Sequence, residues 1–156
     1  MRLVLFDCDG TLVDSAGFIH DCMTRTFIDF GYPAPDDAAT KATIGLTLDV
    51  GIATLLGRKV DAEITAMTAR YKQHFAAIRA EGAFHEPMFA GIPELLADLS
   101  KRDEVVLGIV TGKSRRGLGA VLKLHGLGQT FFTLRTADDC PSKPHPAMVL
   151  ECCGET

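Results

Sequence analysis

No apolar run in this 156-residue chain approaches the roughly 20 residues needed to span a bilayer, so a membrane protein is not expected. The N-terminal apolar stretch, Leu3 to Phe6, runs straight into Asp7 and is too short for a signal-peptide core; a cytoplasmic location is expected. Basic residues are not in excess: 16 Lys and Arg against 20 Asp and Glu give a net charge of −4. Without a basic face to neutralise phosphates, a nucleic-acid partner is not expected either. There is no Cys-x-x-Cys pair. Cys8, Cys22 and Cys140 are scattered, Cys152 and Cys153 are adjacent, and the five histidines do not supply paired ligands. That spacing argues against a zinc site or a disulfide framework and for reduced, mostly buried thiols. Repeats and low-complexity tracts are also absent, and nothing in the sequence fixes an oligomeric state. What is present is ordinary for a folded domain: 47% hydrophobic and 23% charged residues. A chain of this length buries about 70% of its unfolded surface, enough for one domain or a small core with an insertion.

Short apolar runs at Arg2–Phe6 and Val105–Val110 end in polar, glycine-containing turns, as buried strands of a parallel sheet do. A third, weaker candidate is Phe131–Thr136. Helical patterns alternate with them. Ile92–Arg102 opens with Pro93 and aligns Leu95, Leu96 and Leu99. Ser114 caps a helix that carries Leu118, Val121, Leu122 and His125 and stops near Gly126, and Pro146–Cys153 begins another. This order predicts an α/β fold with a parallel sheet and right-handed crossovers. From about residue 17 to 85 the pattern is helical only: Gly17–Phe30 ended by Gly31, a short helix capped by Asp36, Leu48–Leu56, and Asp61–Glu81. In the last of these, Ile64, Met67, Tyr71, Phe75 and Ile78 recur every three or four residues. The expected organisation is a core of residues 1–16 and 86–156 with a helical domain, 17–85, inserted after the first strand and moving as a unit.

The first strand ends in Asp7-Cys8-Asp9-Gly10-Thr11. In extended chain, residues two apart share a side, so both carboxylates can face one site while Cys8 packs on the other. Ligands of open α/β sheets bind outside the carboxyl ends of the strands, where these residues lie. Paired carboxylates there can hold magnesium, or divide into nucleophile and proton carrier; a solvated turn is the alternative. The second strand ends in Thr111-Gly112-Lys113-Ser114, where amides at a helix start favour a phosphate oxygen, although Ser114 capping alone also explains the pattern. Lys143, in Ser142-Lys143-Pro144-His145-Pro146, stands at the next strand–helix junction. His20, His74, His85 and His125 have no partner spacing and are expected at surface or insertion positions.

These motifs, in this order, resemble the haloacid dehalogenase-like hydrolases, in particular phosphoglycolate phosphatase-like members with a helical cap after the first motif. The resemblance rests on Asp7 through Ser15, on Thr111 after an apolar strand, and on Lys143 in Lys-Pro-His-Pro. It implies a Rossmann-like core and a magnesium-dependent phosphatase acting on a small phosphorylated metabolite. In it, Asp7 matches the nucleophile that becomes an aspartyl phosphate, and Asp9 the general acid/base. The Asp7 carboxylate and the Asp9 main-chain carbonyl match magnesium ligands. Thr111, with Gly112, matches the phosphate-holding turn, and Lys143 the cation beside Asp7. Substrate choice is expected in the cap, with the Thr43–Thr47 turn, Thr43 and Gly45 in particular, as a candidate contact; an ordinary loop explains that turn equally well.

The family's fourth motif supplies further acidic metal ligands, yet only thirteen residues (144–156) follow Lys143, none of them Asp, and Glu151 and Glu155 do not fit its setting. The expectation is a family member cut short, without the last strands of the sheet, weak in metal binding and activity. A catalytically inactive fragment serving as an interaction module, or a phosphomutase, are the alternatives. A P-loop is rejected on spacing: G-x-x-x-x-G-K-[ST] requires glycine at 107, which is Leu107, and Gly108 falls one residue late.

Overall fold

The computed structural model describes residues 1–82 and 86–156. In chain order the elements are β1 (Arg2–Phe6), α1 (Ala16–Asp29), α2 (Asp37–Ala42), α3 (Leu48–Leu55), α4 (Ala62–Ala80), α5 (Ile92–Leu99), β2 (Val105–Val110), α6 (Arg115–Leu124), β3 (Thr133–Arg135) and α7 (Ala147–Glu155). They fall into two compact units. Met1–Asp14, Gly45–Thr47 and Pro87–Thr156 form an α/β unit; Ser15–Ile44 and Leu48–Glu86 form a helical one.

The α/β unit is Rossmann-like, with three parallel strands in the order β1-β2-β3. Alternation along the strands divides its core between the two faces. Val4, Phe6, Leu107 and Ile109 join Leu96 of α5 and Leu118, Val121 and Leu122 of α6. Leu3, Leu5 and Val110 join Cys140 and, from α7, Met148 and Cys152. Because helices cover both faces, β1 after Arg2 and β2 read as near-continuous apolar runs. Each fully buried aliphatic side chain, such as Ile109, contributes about 1.5–3 kcal/mol. The chain leaves this unit after Asp14 and returns at Pro87. The exit and return are tied together, since the Asp14 amide donates to the Pro87 carbonyl at 2.8 Å and the Phe89 amide to the Leu12 carbonyl at 3.1 Å.

β3 spans Thr133–Arg135 rather than the expected Phe131–Thr136, and at its carboxyl end a side chain competes with the ladder. The Thr136 amide and hydroxyl both donate to the Asp139 carboxylate, at 2.9 and 2.7 Å. Burial works against charge on Asp139, but the Arg115 guanidinium and the Thr136 hydroxyl and amide outweigh it and hold its pKa at about 2. The stabilisation is therefore complete above the ordinary carboxyl pKa and is lost as pH falls through about 2. Asp139→Asn should cost about 1 kcal/mol at neutral pH, with a deficit that shrinks steadily below about pH 4. Denaturant melts of the two proteins across that range check it, and a pH-independent difference would contradict it.

α5 ends at Leu99 rather than Arg102, because the Lys101 and Arg102 amides turn back to Asp98 and Leu99 in tight three-residue bonds. α7 runs past Cys153 to Glu155, and its Glu151 and Glu155 both hold Arg135 of β3, at 2.7 and 2.5 Å. Those two acids thus fasten the helix to the sheet.

In the helical unit, Cys22, Met23 and Phe27 of α1, Ile52 and Ala53 of α3, and Ile64, Met67, Tyr71 and Ile78 of α4 form one core. Asp36 and Asp61 cap α2 and α4, their carboxylates accepting the Ala39 and Ile64 amides at 2.6 and 2.9 Å; each cap is worth about 1 kcal/mol. His74 and Arg70 of α4 hold Asp29 at the end of α1, and His20 lies 3.0 Å from the Thr40 hydroxyl. His85 lies outside the described residues. Four thiols are buried and that of Cys153 is exposed. Among the described residues no helix is long and apolar enough to cross a membrane.

Candidate active site

Where β1 ends, the chain folds around one carbonyl. That of Cys8 accepts the amides of Thr11, Leu12 and Val13 at 3.3, 2.9 and 3.1 Å, and the Gly10 amide donates to Val13 at 2.9 Å. Asp9 bridges Val13 through these bonds, which use its two neighbours rather than its own peptide groups. Cys8 is fully buried, as extended geometry predicts, and the aspartates flanking it are only partly so.

Each aspartate faces a lysine. Asp7 Oδ1 accepts the Cys8 amide at 2.8 Å, and Oδ2 lies 3.0 Å from Lys143 Nζ. Lys143 also donates to the Val110 carbonyl at the end of β2, at 3.4 Å. Asp9 is held by Lys113, whose Nζ lies 3.0 and 3.3 Å from its two oxygens. The Lys113 and Asp9 side chains are 8% and 11% exposed, against 28% and 25% for Lys143 and Asp7. The two formal negative charges are thus met by two positive ones. Sequence reasoning assigned Lys143 but missed Lys113. The available signal was its position two residues after Thr111, at the same strand end.

Thr111 is buried. Its amide donates to the Arg135 carbonyl at 2.9 Å, and its hydroxyl accepts the Lys113 amide at 3.1 Å. A hydroxyl that accepts in this way has its own proton to offer an anion. The helix-start amides expected to receive a phosphate oxygen are engaged instead. Ser114 Oγ accepts the Gly117 amide at 3.1 Å, and Asp138 accepts that of Arg115 at 2.8 Å. Two of the first-turn amides of α6 are therefore taken by side-chain caps.

Gly45–Thr47 packs with the α/β unit, apart from the helices on either side of it in sequence. The Thr47 amide donates to Ser142 Oγ at 2.9 Å, next to Lys143. Gly45 has φ +102°, which disfavours any side chain, and a Cβ there would lie 3.4 Å from Asp7 Oδ2 and 3.9 Å from Lys143 Nζ. Gly112 touches the same segment from the other side; a Cβ on it would overlap the Leu46 carbonyl. Gly45 therefore stands with Asp7, Gly112 and Lys143. The Thr43 hydroxyl is committed inside the helical unit, donating to the Thr40 carbonyl at 2.7 Å.

The Asp7 carboxylate and the Asp9 carbonyl are hard oxygen donors, and among the described residues no group of three or more His, Cys, Asp or Glu is placed to hold a metal ion. That set fits magnesium, which keeps several waters and takes one or two carboxylates, and does not fit zinc.

A profile of the haloacid dehalogenase-like hydrolase family matches residues 4–156. A Dickeya dadantii protein named probable phosphatase IndB is 35% identical over 151 residues, covering 95% of this chain and 64% of that protein. The N-acetylmuramic acid 6-phosphate phosphatase of Pseudomonas putida is 32% identical over 155 residues, covering 98% of this chain and 68% of that one. The phosphoglycolate phosphatase of Yersinia pseudotuberculosis is 30% identical over 151 residues, with 94% and 64% covered. The chain thus spans about two thirds of the length of these curated relatives. A solved Bacteroides fragilis structure described as a haloacid dehalogenase-like hydrolase matches with a TM-score of 0.86 at 26% identity, over 98% of this chain and 71% of that one. With its aspartate pair, threonine and lysine at the carboxyl end of a parallel sheet, the chain belongs to the haloacid dehalogenase-like hydrolases.

Proposed function

We propose that the whole protein is a magnesium-dependent phosphatase of small phosphorylated metabolites, working through an aspartyl phosphate on Asp7 in the cytoplasm. One observation carries this reading: two carboxylates at the end of β1, each facing a lysine, in the same unit as the Thr111 hydroxyl at the end of β2. Phosphoryl transfer depends mainly on positioning and on neutralising oxygens, and these groups supply both. Asp7, as the carboxylate, attacks phosphorus as the ester P–O bond breaks, and Asp9, which must enter this step in its protonated form, gives that proton to the departing alkoxide. Asp9 then takes a proton from the water that releases phosphate from Asp7. Thr111 and Gly112 hold phosphoryl oxygens, and Lys143 offsets charge on Asp7 and the transferring group. Asp7 and the Asp9 carbonyl would hold magnesium, whose charge adds to that of Lys143. The helical unit supplies the cap.

The relatives named above include phosphatases of phosphoglycolate and of N-acetylmuramic acid 6-phosphate. The test is release of inorganic phosphate by the whole protein from a panel holding those two compounds and common sugar phosphates, with magnesium and with chelator. Hydrolysis of at least one, at kcat/KM of about 10⁴ M⁻¹s⁻¹ or above and lost with chelator, is expected. No hydrolysis of any, or hydrolysis indifferent to chelator, would overturn the reading.

A further inference from the structure

We infer that Lys113 is a positioning residue for Asp9, holding its carboxyl group in the one orientation that serves the leaving-group oxygen; this rests on the phosphatase reading above. A lysine side chain is long and flexible, and here every part of it is fixed. The Lys113 amide donates to Thr111 Oγ1 at 3.1 Å, and its carbonyl accepts the Ala137 amide at 3.0 Å. Its aliphatic stem runs past Gly117, in the first turn of α6, where even a Cβ would lie 3.1 Å from Lys113 Cγ and 3.3 Å from Cε. The ammonium reaches both oxygens of Asp9, at 3.0 and 3.3 Å, in a pair almost closed to solvent. Contact with both oxygens resists rotation of the carboxylate about its last torsion.

Stability alone is a weak reason for such a pair, because desolvating two charges offsets much of their attraction. Orientation is a stronger one, since proton transfer requires the acid within hydrogen-bond reach of the reacting oxygen. The two lysines therefore divide the work. Lys143, more exposed and beside Asp7, meets the phosphoryl group; Lys113, buried, acts through Asp9 and transfers no proton itself.

The test uses the whole protein with Lys113→Met, Lys113→Arg, Asp9→Asn and the Lys113→Met/Asp9→Asn double variant. Each is assayed on an alkyl phosphate cleaved by the wild type and on 4-nitrophenyl phosphate, whose leaving group departs without a proton. Lys113→Met should lower kcat on the alkyl ester by about 10²-fold or more and on the aryl ester by less than about tenfold, with little change in either KM. Lys113→Arg should recover most of the loss, and Lys113→Met should add nothing once Asp9 is Asn. Equal losses on both esters, or a rise in KM alone, would overturn the inference. Crystal structures of wild type and Lys113→Met give a readout that needs no turnover. The Asp9 carboxylate should leave its orientation in the variant, and an unmoved Asp9 overturns the positioning role. If the wild type cleaves no phosphate ester of the panel above and not 4-nitrophenyl phosphate, the phosphatase reading falls and the structures alone judge the positioning. Should Lys113→Met not fold, Lys113→Gln, which keeps a hydrogen-bond donor without the charge, carries the same comparison.

Discussion

Asp7→Asn should remove phosphatase turnover by about 10⁴-fold or more while leaving the fold in place. Losses of that order follow when the group that forms the covalent intermediate is removed. Asparagine keeps the size of the side chain and can still accept the Cys8 amide that aspartate accepts at 2.8 Å. What it loses is nucleophilicity and the ion pair with Lys143, and a pair about a quarter exposed contributes about 1 kcal/mol or less. The melting temperature should therefore move by no more than about 4 °C. Steady-state assays, acid-quench trapping of labelled phosphoryl group on the wild type, and thermal melts check the three parts. A variant retaining more than about one hundredth of the rate, with its mass confirming asparagine, would sink Asp7 as nucleophile.

Gly112→Ala should be the most damaging single methyl added to the α/β unit. A Cβ at 112 would overlap the Leu46 carbonyl and lie 2.7 Å from that of Gly45, both backbone atoms that cannot rotate away. Relief requires moving Gly45–Thr47, which the Thr47–Ser142 hydrogen bond ties beside Lys143. Overpacking of this kind costs about 1–3 kcal/mol, and here the strain falls on the segment touching Asp7. The expected result is a loss of about 2 kcal/mol in denaturant unfolding together with a fall in kcat of about tenfold or more, because small displacements of positioning groups are amplified in the rate. Gly119→Ala, in the exposed part of α6 with open space around its Cβ, is the control and should be neutral or slightly stabilising. Equal behaviour of the two variants would show that the close approach at Gly112 has no consequence.

Much of this architecture is legible in the sequence because it depends on local patterns. Apolar runs give β1 and β2, three-and-four spacing gives α4, and Asp36 and Ser114 cap the helices they precede. The end of β3 was not legible, because it is set by Asp139 reaching back to Thr136. The site divides in the same way. Asp7, Asp9, Thr111 and Lys143 lie at strand ends in recognisable motifs. Lys113 is marked only by its position two residues after Thr111; its partner is 104 residues away, and only the strand pairing brings the two together. The cap on the Arg115 amide was hidden for a related reason: the Asp138 that supplies it comes from the loop after β3.

The membership of Gly45–Thr47 bears on how this protein could be recombined. Three residues lying between α2 and α3 in sequence are built to the measurements of the sheet end, through the bare Cα of Gly112 and the Ser142 hydroxyl. A graft that replaced everything between Ser15 and Glu86 with the equivalent stretch of a relative would import a tripeptide shaped for another host. The natural seam is discontinuous: 15–44 and 48–86 are transferable, while 45–47 stays with the recipient. Divergence should follow the same seam, with the flanking helices free to drift and the tripeptide evolving in step with positions 112 and 142.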